Sequence, residues 1–222
     1  MKKFNYIDIA AMLIWLLPAM YLWVVYSSLP ATVPLHYGID GKVNRYGNKS
    51  ELISMTALLL SINLLVYLLM KFLPSIDPKR QVKYGEETFR KIAFGIVFFI
   101  SALNIAILFT TAHRGMPATK LILPIAGILF AFIGNLMNNI KPNYFAGVRT
   151  PWTLENEDNW RATHRLAGRL WFIGGIAVTI ITLLLPSSLA TIAFTCGVAA
   201  LSFTPVIYSY VYFKKHQPVN NP

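Results

Sequence analysis

The run Gly147-Val148-Arg149-Thr150-Pro151-Trp152-Thr153-Leu154, followed by Trp160-Arg161-Ala162-Thr163-His164-Arg165, holds the densest chemistry in the chain. Arginines, hydroxyls, tryptophans, carboxylates and a histidine stand here between two apolar runs. Polar and ionisable groups held at a membrane segment are a functional-site signal. One reading makes Arg149, Thr150, Trp152, His164 and Arg165 a specific polar site. The other makes the segment an interfacial helix, with arginines on lipid phosphates and tryptophans among the headgroups. Local signals define its start. Gly147 permits a sharp bend, and Thr150 before Pro151 fits an N-cap followed by proline at the first helical position. Asn156 ahead of Glu157 and Asp158 fits a second helix start. Glu157, Arg161, Arg165 and Arg169 then recur every fourth residue, the first two placed as an ion pair. Trp160, His164, Ala167 and Trp171 form the neighbouring stripe, expected at the membrane interface.

A second polar stretch spans residues 27–50. Pro30 and Pro34 enforce extended backbone, and Asp40-Gly41 is a turn signal. Residues 33–37 and 42–46 are therefore expected to pair as a small hairpin, with Asn48 and Glu51 as a capping box before the next helix. His36 and Asp40 can face a ligand across that hairpin, or hydrogen-bond the loop itself. With His113 they are also a conceivable outer metal site. Other catalytic signatures are missing: the sequence has no HExxH and no P-loop or Rossmann glycine pattern. Cys196 stands alone in an apolar run and reads as packing.

These residues need elements to hold them, and composition says which. Of 222 residues, 55% are hydrophobic and 13% charged, against about 25% charged in a soluble domain. Six runs, near 7–26, 51–73, 89–111, 119–138, 166–185 and 187–212, are each free of charge through the centre and long enough to cross a bilayer. The expected fold is all-α: a polytopic membrane protein with six transmembrane helices, a hairpin-like outer loop and an interfacial helix on the cytoplasmic side. The first run follows Lys2 and Lys3 and imitates a signal peptide, but it is too long for one and lacks a good cleavage site, so it reads as an uncleaved span. With the N-terminus inside, fifteen of the twenty Lys and Arg fall on the inner side and five outside. The positive-inside rule then puts both termini and residues 139–169 in the cytoplasm and loop 27–50 outside. The net charge of +11 points to anionic lipids at about 1 kcal/mol per well-placed cation, not to direct nucleic-acid binding. Asn63, Asn104 and Asn135 read as glue between helices. Asp8 stands at the start of the first span, near the inner interface, where it can remain hydrated. Residues 1–75 and 76–222 divide into a two-helix and a four-helix unit of one membrane domain.

The segment from Gly147 to Leu154, with Trp160 and Thr163-His164-Arg165, resembles the signature of the Sdp immunity-protein (SdpI) family of bacterial membrane proteins. Leu29-Pro30, Val33-Pro34, His36, Gly41 and Arg45 resemble the uncharacterised N-terminal domain that often precedes it. The resemblance runs from about residue 10 to 212, and the Arg149-Thr150-Pro151-Trp152-Thr153 core is its most specific part. It implies a plasma-membrane protein, not an enzyme and without cofactors, that protects its producer against a secreted membrane-active toxin peptide. It also implies possible signalling, in which the toxin-occupied protein holds a cytoplasmic transcriptional repressor at the membrane. On this reading His36, Asp40 and Arg45 meet the peptide. Arg149, Thr150, Pro151, Trp152, Thr153, Trp160, His164 and Arg165 form the inner readout or partner-binding end. Two alternatives remain open: a metal-assisted hydrolase acting on a peptide or envelope substrate, and a small transporter. The transporter is weakened by span interiors without charge.

Overall fold

The computed structural model describes residues 5–38, 42–76, 86–113 and 116–216. Six helices are long and apolar enough to cross a membrane. They are α1 (Tyr6–Val25), α2 (Glu51–Ile76), α3 (Glu86–Ala112), α4 (Thr119–Met137), α6 (Glu157–Leu184) and α7 (Ser187–Lys215), with the short α5 (Pro151–Glu155) between α4 and α6. The strands β1 (Thr32–Tyr37) and β2 (Val43–Asn48) lie between α1 and α2.

The strands pair antiparallel, from Thr32 opposite Asn48 to Tyr37 opposite Val43, as the flanking turn signals require. Irregular register on either side of His36 bends the ribbon. Its inner face buries Val33 and Leu35 against Leu22, Leu29, Leu52 and Leu108, so the hairpin is seated on the ends of α1, α2 and α3. Lys49 Nζ fastens the seat by donating to the Tyr26 and Leu29 carbonyls at 3.3 Å each. Asn48 and Glu51 make the expected reciprocal turn. Ser50 N–H donates to Asn48 Oδ1 at 2.9 Å and Asn48 N–H to Glu51 Oε1 at 3.1 Å.

The helix α3 is the central post, with the largest buried share of the six spans. It packs on α1 and α2 on one side and on α4 on the other. The tightest contact in the molecule joins α4 to α6, and glycines make it possible. Gly127 and Gly134 on α4 lie against Gly175 and Gly168 on α6. A Cβ added at Gly168 would stand 3.0 Å from the Gly134 carbonyl oxygen, and one at Gly175 would strike the backbone of Ala131 and Gly127. Close approach of backbones through small residues is how helices gain van der Waals contact in lipid. The two glycine pairs are each seven residues apart, a spacing not noticed in the sequence.

Pro205 within α7 removes one helical donor. The carbonyl it would have served, Leu201, accepts instead from Trp171 Nε1 at 2.7 Å. That bond ties α7 to α6. Two expectations for single residues are corrected. Cys196 is exposed on the outer surface of α7, facing the surroundings and not the core. Asn135 is likewise exposed on α4 and joins no helices.

Candidate functional site

The segment 139–169 is built from the loop inward. Asn143 is 2% exposed and spends its whole side chain on the loop. Nδ2 donates to the carbonyls of Lys141 at 2.7 Å and Ala146 at 3.2 Å, and Oδ1 accepts from the amides of Phe145 and Ala146 at 2.7 and 2.8 Å. The chain then turns at Gly147, whose φ of 110° lies in the left-handed region. A Cβ there would collide with the His164 ring, so the position needs glycine for two reasons.

That bend delivers the Val148 amide to His164 Nε2 at 3.2 Å. His164 Nδ1 lies 2.8 Å from the Trp160 carbonyl. A carbonyl only accepts and an amide only donates, so the ring carries its proton on Nδ1 and its lone pair on Nε2. The ring also stacks on Trp160 at 4.0 Å between centroids. Trp160 is 1% exposed and donates from Nε1 to the Ile140 carbonyl at 2.9 Å. It sits in the core formed by Ile92, Leu136, Met137, Ile140, Val148 and Ala167.

Thr150 caps α5 as expected, in a reciprocal box with Thr153. Thr153 Oγ1 also donates to the Val148 carbonyl at 2.9 Å. Thr150 and Trp152 then meet α7. Thr150 Oγ1 is 3.3 Å from Ser209 Oγ, and Trp152 Nε1 donates to Ser209 Oγ at 2.6 Å. Asn159 Nδ2 donates to the Ser209 carbonyl at 3.0 Å, and Thr163 Oγ1 donates to Asn159 Oδ1 at 3.0 Å. The Trp152 ring rests on Tyr210 and Phe213 at 5.3 and 6.0 Å. Ser209, which sequence reading passed over, is therefore the hub joining the segment to α7. Its only sequence signal is a buried-face hydroxyl in an otherwise aromatic run.

The geometry divides the expected site residues in two. Thr150, Thr153, Trp160 and His164 are buried, Trp152 is half-buried, and together they clamp α4, α6 and α7. Pro151, Arg149 and Arg165 are exposed. Arg149 donates from its guanidinium to the Tyr144 carbonyl, and Arg161 pairs with Glu157 at 2.6 Å. The stripe Trp160-His164-Ala167 was expected among lipid headgroups. It is turned inward against α4 instead, because a tryptophan whose N–H finds a carbonyl is better satisfied in a packed core than at a wet surface. The arginines take the outer face of one unbroken helix that is both the expected interfacial helix and the fifth span.

At the hairpin, His36 and Arg45 are cross-strand partners. Each is engaged locally: His36 Nδ1 lies 2.6 Å from Asn44 Oδ1, and Arg45 forms an ion pair with Glu51 at 2.7 Å. Asp40 lies outside the described residues, so the structure does not place the three together. His113 stacks on Phe109 and bonds its carbonyl through Nδ1 at 3.0 Å. Among the described residues no group of three His, Cys, Asp or Glu side chains could hold a metal.

The sequence also understated Asp8. It is 6% exposed. Tyr67 donates to its carboxylate, and Lys71 Nζ forms an ion pair with it at 2.9 Å. These three residues stand at one end of an apolar cavity of about 460 Å³ between α1 and α2. A second cavity, about 730 Å³, lies between the same helices near the hairpin. Trp15 marks the narrowing, donating from Nε1 to the Leu60 carbonyl at 2.9 Å.

Residues 139–212 match the model of the SdpI/YfhL protein family. Residues 13–60 match a domain of unknown function, DUF1648. The chain is 22% identical over 195 residues to "Immunity protein SdpI" of Bacillus subtilis strain 168, covering 86% of this chain and 88% of that protein. It is 43% identical over 49 residues to an uncharacterised protein of Archaeoglobus fulgidus, covering 22% of this chain and 25% of the other. No solved structure matches.

Proposed function

Because the chain belongs to the SdpI/YfhL protein family and carries an N-terminal DUF1648 segment, we propose that it is a membrane immunity protein. On this reading it protects its cell against a secreted, membrane-active peptide. The observation that carries the reading is the match to an immunity protein over most of both chains. The hairpin faces outward and the buried clamp faces the cytoplasm, supported by the fifteen-to-five division of cations. His36, Asp40 and Arg45 present the polar edge that the peptide meets. The buried residues of the clamp hold the inner ends of α4, α6 and α7 in register. The exposed Arg149 and Arg165 contact anionic lipid or a cytoplasmic partner, such as a repressor, by charge.

Deletion and complementation test this directly. Cells with and without the chain are exposed to medium conditioned by its own host, and membrane potential is followed with a voltage-sensitive dye. The proposal expects depolarisation only in cells lacking the chain. Equal depolarisation of both strains, with the protein present in the membrane, overturns it.

One observation favours a second reading. The Asp8–Lys71 ion pair, in the first turn of α1 and toward the C-terminal end of α2, places partly enclosed ionisable groups at the margin of spans whose centres are uncharged, and enclosed ionisable groups are a feature of transport proteins. Purified protein in liposomes should then move an ion across the bilayer, and Asp8→Asn should stop it. No flux in either sample removes this reading.

A further inference from the structure

The N-terminal half holds a polar cluster that lies outside the clamp. Asn63 on α2 and Asn104 on α3 are 0% and 2% exposed. Asn63 Nδ2 donates to the Val97 carbonyl at 3.2 Å and to Ser101 Oγ at 3.1 Å. The Val97 carbonyl can only accept, which fixes the amide's orientation and leaves Oδ1 as the free end. Asn63 Oδ1 has no hydrogen-bond partner among the described residues, and neither has Asn104 Nδ2. Asn104 Oδ1 accepts from Thr56 Oγ1 at 3.4 Å. The seam between two spans thus holds one orphaned acceptor and one orphaned donor at a depth where lipid offers neither.

The two orphans belong to facing helices that are joined by direct side-chain contacts on either side of them. Thr56 and Asn63 are two turns apart on one face of α2, and Ser101 and Asn104 are one turn apart on the facing side of α3. Ser101 already touches Asn63. Its oxygen accepts there, so its hydroxyl proton remains to be given.

We propose that Asn63, Ser101, Asn104 and Thr56 form a binding site for a water molecule within the α2–α3 seam. The water accepts from Asn104 Nδ2 and from Ser101 Oγ and donates to Asn63 Oδ1. Thr56 holds Asn104 in place by donating from Oγ1 to its Oδ1. Three partners are typical of a buried water. The ligand must be small and must both donate and accept, because all four side chains are nearly fully enclosed. Thr56 also borders the larger cavity between α1 and α2, which gives the water a short route for exchange. The seam is then joined through an exchangeable molecule and not only by direct side-chain contact.

The test uses the full chain in lipid nanodiscs. Magnetisation transfer from water to side-chain amides is recorded on asparagine-labelled protein, the Asn104 signal being identified by its absence in Asn104→Leu. Transfer to the Asn104 amide is expected. The thermal midpoints of Asn63→Leu, Asn104→Leu and the double variant are then compared. A shared water makes the double variant's shift smaller than the sum of the single shifts. Absence of transfer at Asn104, or additive shifts, overturns the proposal. If the leucine variants do not fold, Asn63→Ser and Asn104→Ser carry the same comparison.

Discussion

Replacing His164 separates a buried clamp from a contact surface. In His164→Leu the Val148 N–H loses the ring nitrogen that accepts its hydrogen bond. A buried donor left unmet costs about 1–3 kcal/mol. Loss of the stack on Trp160 costs a further 0.5–1.5 kcal/mol, roughly. The Trp160 carbonyl is less affected, because the α6 backbone continues to serve it. Together the change should destabilise this end of the bundle by roughly 1.5–4.5 kcal/mol. At a tenfold change per ~1.4 kcal/mol, the open population should rise between about ten- and a thousandfold. Limited proteolysis of the protein in nanodiscs reads this as faster cutting within residues 141–150. His164→Gln can still place an acceptor near the Val148 amide and should lose less. Arg149→Ala, at an exposed position, should change stability by no more than about 0.5 kcal/mol. Equal protease resistance of His164→Leu and the parent, with loosening in Arg149→Ala, would refute the assignment of His164 to the clamp.

Three other outcomes follow from the same contacts. Gly175→Leu forces a side chain into the α4 backbone and should cost at least about 1–3 kcal/mol. Gly197→Ala meets a side-chain methyl of Val178 at 2.9 Å and no backbone and should cost less, and thermal unfolding in detergent compares the two. Lys71→Met leaves Asp8 buried without its cation and should destabilise by about 3–5 kcal/mol. The double variant Asp8→Leu/Lys71→Met should recover much of that loss in the same assay. Arg149→Ala should abolish protection while leaving the amount of protein in the membrane unchanged, so peptide survival and membrane immunoblot are measured together. Full protection at full expression denies Arg149 a role.

The spans, the hairpin and the two helix caps were legible in the sequence because each rests on local rules. Runs free of charge through their centres, prolines ahead of a turn dipeptide, and Thr150 or Asn156 ahead of a helix are all local signals. The burial of Trp160 and His164 was not legible. A tryptophan-histidine stripe next to arginines has the same pattern whether it faces headgroups or a neighbouring helix. What decides is the partner's shape, here α4 brought close by Gly127 and Gly134. Asp8 was misjudged for a similar reason: its partners Tyr67 and Lys71 lie about sixty residues away. Ser209 was invisible because its importance comes entirely from what reaches it: Trp152, Thr150 and Asn159.

The central claim is a division of labour across the membrane, with an outer encounter hairpin and an inner clamp. Single cysteines test it most directly, in a Cys196→Ser background because Cys196 is itself exposed. His36→Cys and Arg149→Cys are each treated in intact cells with a membrane-impermeant maleimide, before and after permeabilisation. The account predicts that His36→Cys is labelled in intact cells and Arg149→Cys only after permeabilisation. Labelling of Arg149→Cys in intact cells, with His36→Cys protected until the membrane is opened, would contradict it.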